Sequence, residues 1–144
     1  MIAYLGSEKL FAQTTIQLDS SQEKKLFYQE GKASYYHPSL EGRKTASGVR
    51  YRKNKLTAAH LTLPLGTRVK VTNVKTKKWV IVTINDRGPY SKKYILDLSF
   101  RAAKHLGMTN GKGFAKIRIE EVVPKEKIWQ QGHIPELPGQ GLKK

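Results

Sequence analysis

The chain has 144 residues, 38% of them hydrophobic, which is about the length of one domain and enough to bury a single core. It contains no cysteine and no apolar run of the roughly 20 residues that span a bilayer, which excludes disulfide frameworks, thiolate metal sites, cysteine nucleophiles and an integral membrane protein. Its 27 Lys and Arg against 11 Asp and Glu give a formal net charge of +16, which attracts anionic polymers.

Charge and composition divide the chain into three segments. Residues 1–30 carry a net charge of −1, residues 31–123 carry +15, and residues 124–144 carry +2. Charged residues interrupt the apolar start, so the first segment is predicted to be a linker, the remnant of a signal peptide, or one short helix around Ser20–Phe27. The prolines and glycines of the last segment predict an extended or flexible tail.

The middle segment shows mostly the two-residue period of half-buried β-strands. The strands predicted from this pattern cover residues 68–74, 79–84, 94–98 and 114–120. Residues 75–78 form a predicted hairpin connection. One short helix is predicted over about 99–106, because Ser99 is a favourable N-cap and Gly107 supplies a C-terminal stop. Several short strands with one short helix predict a mainly β fold, a small β-barrel with flexible termini.

The clearest candidate for chemistry is Asp86, in the stretch NDRGP at 85–89. A buried-looking strand ends there and the chain turns on Gly-Pro, so the carboxylate at the tip of a rigid strand is positioned to meet a ligand. Turn chemistry, with an ion pair to Arg87, explains the same aspartate without any function. Sequence alone leaves both interpretations open.

Other candidates have simpler structural interpretations. His60 closes a stretch of small residues, which is more typical of a histidine satisfied in or beside the core than of a ligand. Asp97 stands just before the predicted helix and is expected to serve its N-terminus. Tyr35, Tyr36 and Tyr51 lie among polar and basic residues, as on carbohydrate-binding or nucleic-acid-binding faces. No His-x-x-x-His pair or phosphate-binding glycine loop is present, so no metal and no cofactor is predicted.

Six motifs in a fixed order extend this interpretation. They are GKASYY at 31–36, GRKTASG at 42–48, LTAAHLTLPLGT at 56–67, VKVTN at 69–73, INDRGPY at 84–90 and ILDLS at 95–99. Together, over about residues 31–123, they resemble the rare lipoprotein A (RlpA-like) domain of bacterial cell envelopes. The resemblance implies a six-stranded double-psi β-barrel, the fold of expansins and barwin-like proteins. It also implies a lytic transglycosylase that cuts peptidoglycan glycan strands in cell-wall remodelling or cell separation, located in the periplasm or cell envelope or secreted.

The resemblance assigns roles to individual residues. The catalytic aspartate of the family falls on Asp86 and its site histidine on His60. A single carboxyl then protonates the leaving oxygen and takes the proton of the attacking C6 hydroxyl, so Asp86 must begin protonated, and an Arg87 side chain aimed at it would weaken this interpretation. The residues interpreted as substrate-binding are Tyr35, Thr45, Ser47, Asn85 and Arg87.

One position departs from the family pattern. Val49 stands where a further acid usually follows the Thr-Ala-x-Gly run, and valine can neither exchange a proton nor hold a charge. Either the position is dispensable, or the protein binds glycan and cuts it poorly or not at all. Val49 therefore favours the alternative of a non-catalytic peptidoglycan-binding or wall-loosening module of expansin type.

A third interpretation, a basic nucleic-acid binder, rests on charge alone, and no RNA-binding aromatic motif supports it. The expected partners are peptidoglycan glycan strands, without specific nucleic acid and without a transmembrane segment. The expected oligomeric state is a monomer.

Overall fold

The computed structural model describes residues 25–124, which form a closed β-barrel with one short α-helix. The strands are β1 (Tyr28–Tyr35), β2 (Thr57–Ala59), β3 (Arg68–Asn73), β4 (Trp79–Asp86), β5 (Leu96–Leu98) and β6 (Ala115–Glu121). Helix α1 covers Phe100–His105, and one 3-10 turn covers Pro38–Leu40. Within this range no helix has the length and apolar character to cross a membrane.

The order of strands around the barrel is β1-β5-β2-β4-β3-β6. β1 pairs with β5 and β2 with β4 in parallel, whereas the other four neighbouring pairs are antiparallel. Because parallel neighbours cannot be joined by a tight turn, the chain crosses over and interleaves its two halves. This closed mixed barrel of six strands confirms the predicted mainly β fold, a double-psi β-barrel with one short helix.

The longest predicted strands are confirmed. β3, β4 and β6 start and end within two residues of the predicted ranges. β5 occupies only part of the predicted 94–98, and β1 and β2 were not predicted from the sequence pattern. The division into three segments stays a prediction, although β1 already starts at Tyr28. The predictions for residues 1–24 and 125–144 lie outside the described residues, and residues 25–27 are not helical.

Alternating positions on the strands supply the core. The large aliphatic side chains that are at most 1% exposed are Val69, Val71, Val82, Ile84, Leu96, Leu98, Leu106, Ile117 and Ile119. Burying one such side chain stabilises the fold by roughly 1.5–3 kcal/mol relative to leaving it in water. Ile84 and Leu98 lie near the ends of β4 and β5, so these two strand ends are anchored in the core.

Helix α1 begins where the sequence predicts. The Oγ of Ser99 accepts a hydrogen bond from the N–H of Ala102 at 3.4 Å and donates one to the carbonyl of Lys55 at 2.6 Å. Gly107 follows the helix with φ 73°, a left-handed conformation that glycine adopts without steric cost. The cap therefore fixes both the start of the helix and its attachment to the loop before β2.

Candidate active site

Asp86 is the last residue of β4, and its carboxylate accepts three hydrogen bonds. The hydroxyl of Tyr36 donates to Oδ2 at 2.7 Å, and the N–H groups of Ala46 and Arg87 donate to Oδ1 at 2.8 and 2.9 Å. The first two donors come from segments far away in the sequence, so the carboxylate is held from several sides. A purely structural role in the turn would explain only the hydrogen bond from the N–H of Arg87.

A second carboxylate, that of Asp97 on β5, belongs to the same site. In the strand register, Asp86 on β4 and Asp97 on β5 both stand opposite Ala59 of β2, and both side chains line one cavity. Ser34 on β1 donates a hydrogen bond from its Oγ to Oδ1 of Asp97. Gly88 also lies close to this carboxylate, because a Cβ added at Gly88 would be 3.8 Å from Oδ2 of Asp97.

The environment of Asp97 favours its protonated form. Burial raises the pKa of Asp97, the hydrogen bond from Ser34 opposes this rise, and the nearby negative charge of Asp86 adds to it. Asp97 therefore keeps its proton to a higher pH than an ordinary aspartate does. Asp97 was expected to serve the N-terminus of the helix, but its carboxylate instead accepts from Ser34 of β1 and lines the aspartate cavity, while Ser99 caps the helix as predicted.

The cavity that contains both carboxylates has a volume of about 310 Å³, at the lower end of the range for small-ligand sites. Its aromatic lining residues are Tyr36, Tyr51 and Tyr90, and its basic lining residues include Arg43 and Lys44. Tyr90 is 83% exposed at the edge, whereas Tyr51 is buried with its ring centroid 4.5 Å from that of Tyr36. Aromatic surface and positive charge thus surround the two aspartates.

The turn at 45–49 supplies the Ala46 donor. Thr45 is buried, and its hydroxyl donates to the carbonyl of Val49 at 2.6 Å and lies 2.9 Å from the Oγ of Ser47. The N–H of Ser47 also donates to the carbonyl of Asn85 at 3.1 Å, which ties the turn to the end of β4. Thr45 and Ser47 therefore shape the turn that presents a backbone donor to Asp86.

The side chain of Arg87 does not pair with Asp86. Its Nη1 donates to the carbonyls of His60 and Leu63 at 3.2 and 2.8 Å. The guanidinium thus holds the loop after β2, and the arrangement that would have weakened the catalytic interpretation is absent from the described hydrogen bonds.

His60 holds the same loop from its own ring. Its Nδ1 accepts hydrogen bonds from the N–H groups of Thr62 and Leu63, and its Nε2 lies 3.0 Å from Oε1 of Gln29. Since Nδ1 is an acceptor, the proton of the neutral ring is on Nε2 and is donated to Gln29. Burial, followed by the positive charge of Arg87, lowers the pKa of His60, which favours this neutral form.

Residues 28–119 match a protein-family model described as lytic transglycolase. The chain belongs to this family. The barrel is an RlpA-like double-psi β-barrel, as the resemblance implied. The endolytic peptidoglycan transglycosylase RlpA of Haemophilus influenzae is 50% identical over 101 residues, which are 70% of this chain and 35% of that protein. The transglycosylase of the same name from Neisseria meningitidis serogroup A is 50% identical over 98 residues, 68% of this chain and 41% of that protein.

The chain thus spans well under half the length of these curated relatives. Among solved structures, the apo expansin of Clavibacter michiganensis is similar, with a TM-score of 0.53 and 24% sequence identity over 67% of this chain and 51% of the expansin chain. At that identity the similarity shows a shared fold.

Within this lytic transglycolase barrel, the ring of His60 is separate from the pair of aspartates. It lines a neighbouring cavity of about 380 Å³ with Phe27, whose ring centroid is 5.4 Å away, and Pro89 and Tyr90 border both cavities. The structure therefore brings together Asp86, Arg87 and Thr45 of the predicted site residues, whereas His60 lines the neighbouring cavity and contacts Asp86 through its backbone N–H, which donates to the Asp86 carbonyl at 3.2 Å.

Three further predicted residues, Tyr35, Asn85 and Ser47, lie outside the lining of the aspartate cavity, and Ser47 contributes only through the turn at 45–49. The ring of Tyr35 packs against Phe100, with centroids 6.2 Å apart, and the next residue, Tyr36, faces the cavity instead. Successive side chains of a strand point to opposite faces, so a shift of one residue moves the aromatic ring to the other side. Asn85 has a buried Oδ1 that accepts no hydrogen bond from any residue that the structure describes.

Val49, which stands where the family usually has a further acid, lies on the solvent-exposed side of the turn at 45–49. The Val49 side chain is 63% exposed and is not among the described residues that line the aspartate cavity. Asp97 and Tyr36 were considered from the sequence but neither was assigned to the site, although for Asp97 one signal was available. A lone aspartate between two core leucines must lie on the opposite face of its strand from them.

No group of three or more His, Asp or Glu side chains suited to a metal ion occurs in residues 25–124.

Proposed function

We propose that this chain is a peptidoglycan lytic transglycosylase, which cleaves the bond between N-acetylmuramic acid and N-acetylglucosamine and leaves 1,6-anhydro ends. The observation that carries the proposal is the pair of carboxylates, Asp86 and Asp97, in one cavity with contrasting environments. Asp97 has the raised pKa of a proton donor, whereas three hydrogen-bond donors surround Asp86 and use it as an acceptor. Separating the environments of two titratable groups is how a site assigns acid and base roles.

The reaction needs one acid and one base and consumes no water. Asp97 donates its proton to the glycosidic oxygen while the bond from that oxygen to C1 of the muramic acid breaks. The C6 hydroxyl oxygen of the same sugar bonds to C1, and its proton passes to Asp86. After the step Asp86 is protonated and Asp97 is charged, so one proton transfer between them, or through solvent, restores the site.

The surrounding residues position this pair. Tyr36 remains a donor because burial, together with its hydrogen bond to Asp86, raises the pKa of the phenol above its ordinary value. Arg87 and His60 fix the loop after β2 and act as positioning residues, since the ring of His60 lies outside the aspartate cavity. Two aspartates supply both proton-transfer roles, so the acid that Val49 replaces is not required in this scheme.

The substrate implies where the protein acts. Peptidoglycan lies outside the cytoplasmic membrane, so we propose an extracytoplasmic location in the envelope, periplasm or medium. The basic walls of the cavity, with Arg43 and Lys44, suit a polymer that carries lactyl and peptide carboxylates. We also propose that the protein acts as a monomer, which light scattering on the purified chain tests directly.

Three variants test the roles of the carboxylates. Asp86→Asn and Asp97→Asn keep the shape of each side chain and remove its acid function, so each should lower the release of anhydro-muropeptides from purified sacculi by at least about 100-fold. Glu120→Gln is the matched control, because it makes the same chemical change on β6, outside the cavity lining. Activity retained by Asp97→Asn would overturn the division of roles, and activity retained by Asp86→Asn would overturn the site itself.

A second candidate function is favoured by Val49. Without the further acid of the family pattern, the same cavity could serve a glycan-binding or wall-loosening module that cuts no bond. In that case the parent protein binds sacculi with no anhydro products, and the Asp86→Asn variant binds equally well. The same assay therefore separates the two functions.

A further inference from the structure

A shallow, open cleft, distinct from the two cavities described above, lies at the other end of β4 from the aspartates. It has a volume of about 770 Å³, and its lining includes Trp79, the first residue of β4, whereas Asp86 is the last. Seven residue steps of about 3.3 Å along one strand separate the two residues by roughly 23 Å. A ligand in this cleft would therefore leave the aspartate cavity free.

The cleft is strongly basic. Arg68, Lys77, Lys78 and His105 line it, and none of the described residues in its lining is acidic. The Nζ of Lys70 lies over one face of the Trp79 ring, 5.0 Å from its centroid, so a ligand that stacks on the indole either takes the other face or displaces this cation. Several positive charges on one patch of the surface raise the local concentration of an anionic ligand.

Trp79 provides an exposed flat apolar surface among these charges. The residue is 51% exposed, and across the strand pair it stands opposite Thr72 of β3. Next to it on the same face of β4, Ile81 is only partly buried and also lines the cleft. This indole is not packed in the core, and basic residues lie near it. It is therefore suited to stacking on a ring that carries or adjoins an acidic group.

The turn that holds this surface is well ordered by hydrogen bonds. Asn73 accepts from the N–H groups of Lys75 and Thr76 through Oδ1, and its side-chain amide donates to the carbonyl of Leu106. The predicted hairpin at 75–78 is thus confirmed and is tied to the end of α1. Lys77, with φ 63°, completes the turn, so the lysines of the cleft are presented from a fixed backbone.

We propose that this Trp79 cleft is a second polysaccharide-binding site, which takes a glycan strand bearing carboxylate groups. The sugar ring stacks on Trp79, and the lysines and Arg68 bind the carboxylates. The identity of the polymer as peptidoglycan rests on the proposed function, but binding at the cleft does not depend on catalysis. A site about 23 Å from the aspartates holds the barrel on the wall while the aspartate cavity engages a bond.

The geometry favours a glycan over other polyanions. Single-stranded nucleic acids are bound on several successive aromatic side chains, and in the described cleft Trp79 is the one aromatic ring apart from the imidazole of His105. A membrane surface would need a broad apolar face, whereas Arg68, Lys77 and Lys78 line this cleft beside the indole. A nucleic acid and an anionic bilayer are therefore the competing outcomes of the test.

The test measures binding to intact sacculi by co-sedimentation, in the full chain carrying Asp86→Asn so that the sacculi are not cut. Trp79→Ala should weaken binding by about tenfold, in line with the loss of one stacked ring. Lys77→Asn with Lys78→Ser should weaken it by a similar factor and flatten its dependence on salt, and Asn tolerates the positive φ at 77. Sacculi whose carboxyl groups are amidated should bind the protein weakly, and the parent and the lysine variant should then bind them equally.

Matched controls change the same chemistry elsewhere on the barrel. Tyr28→Ala removes an aromatic ring that is 57% exposed on β1, and Lys112→Ser with Lys116→Ser removes two exposed lysines outside the cleft. Equal binding by the cleft and control variants would overturn the proposal. Tighter binding to a 20-nucleotide single-stranded DNA or to phosphatidylglycerol vesicles than to sacculi would overturn it in favour of a nucleic acid or a membrane. Absence of cleavage by the parent would refute the proposed function and leave this result unaffected.

Discussion

Removing the hydroxyl of Tyr36 tests the proposed catalytic roles, because this hydroxyl donates a hydrogen bond to Asp86. Tyr36→Phe removes one oxygen atom and with it the 2.7 Å hydrogen bond to Oδ2 of Asp86, while the ring contact with Tyr51 remains. A hydrogen bond to a charged group contributes about 1.5–3 kcal/mol, and 1.4 kcal/mol corresponds to a tenfold change in rate. We therefore expect kcat/KM for sacculus cleavage to fall by about 10- to 100-fold, mostly through kcat, because Asp86 loses orientation.

The matched control is Tyr28→Phe. Tyr28 also donates to a carboxylate, that of Glu30 at 2.6 Å, but on the exposed face of β1. Its loss should change kcat/KM by less than about twofold and the free energy of unfolding by less than about 1 kcal/mol. The assay is the initial rate of anhydro-muropeptide release, with urea unfolding of both variants alongside. Equal rates for the two variants, with Tyr36→Phe folded, would refute the claim that Tyr36 orients the base.

Three further predictions concern the scaffold of the site. Arg87→Lys should lower the free energy of unfolding by about 1–3 kcal/mol, because two hydrogen bonds to the loop after β2 are lost, while Arg101→Lys, which loses one exposed bond, should lower it by less than about 1 kcal/mol in the same urea titration. Leu98→Ala should lower it by about 2–5 kcal/mol, since Leu98 is fully buried beside Asp97, and a loss below 1 kcal/mol would contradict the described core. The raised pKa of Asp97 means that the folded state holds this proton more tightly than the unfolded state, so its stabilising contribution is complete below pH 3.8 and is lost as the pH rises through the folded pKa. Asp97→Asn should abolish that fall in thermal stability, and an unchanged pH profile would show that the carboxyl is not buried as described.

Sequence patterns predicted the parts of the fold that alternate strongly. In β3, Val69 and Val71 alternate with basic and polar residues, and the β-branched run of β4 begins at Trp79. β2 contains only three residues, two of them alanines of low strand propensity, and it is a strand because β4 and β5 pair with it on both sides. Such pairing between distant segments is decided by tertiary contacts, which local propensity does not contain.

The candidate site was predicted in part for a similar reason. Asp86 has a local signature, the end of an apolar strand before Gly-Pro, and the motif order predicted it as the catalytic aspartate; in the structure it lines the cavity. Asp97 lies just before the N-cap Ser99, a position where an aspartate ordinarily serves a helix N-terminus. Only the strand register, which sets Asp86 and Asp97 opposite Ala59, shows the two aspartates as a pair. The choice between Tyr35 and Tyr36 likewise depends on where β1 ends, and strand ends are poorly determined by sequence.

We propose that the aspartate cavity catalyses an intramolecular transglycosylation. Mass spectrometry of peptide-stripped glycan strands, digested by the parent protein in water enriched in oxygen-18, distinguishes this reaction from hydrolysis. We expect 1,6-anhydro ends that carry no heavy oxygen, because the C6 hydroxyl of the sugar is the nucleophile. Reducing ends that contain oxygen-18 would show hydrolysis, and intact strands would show binding without cleavage; either result would rule out the proposed transglycosylation.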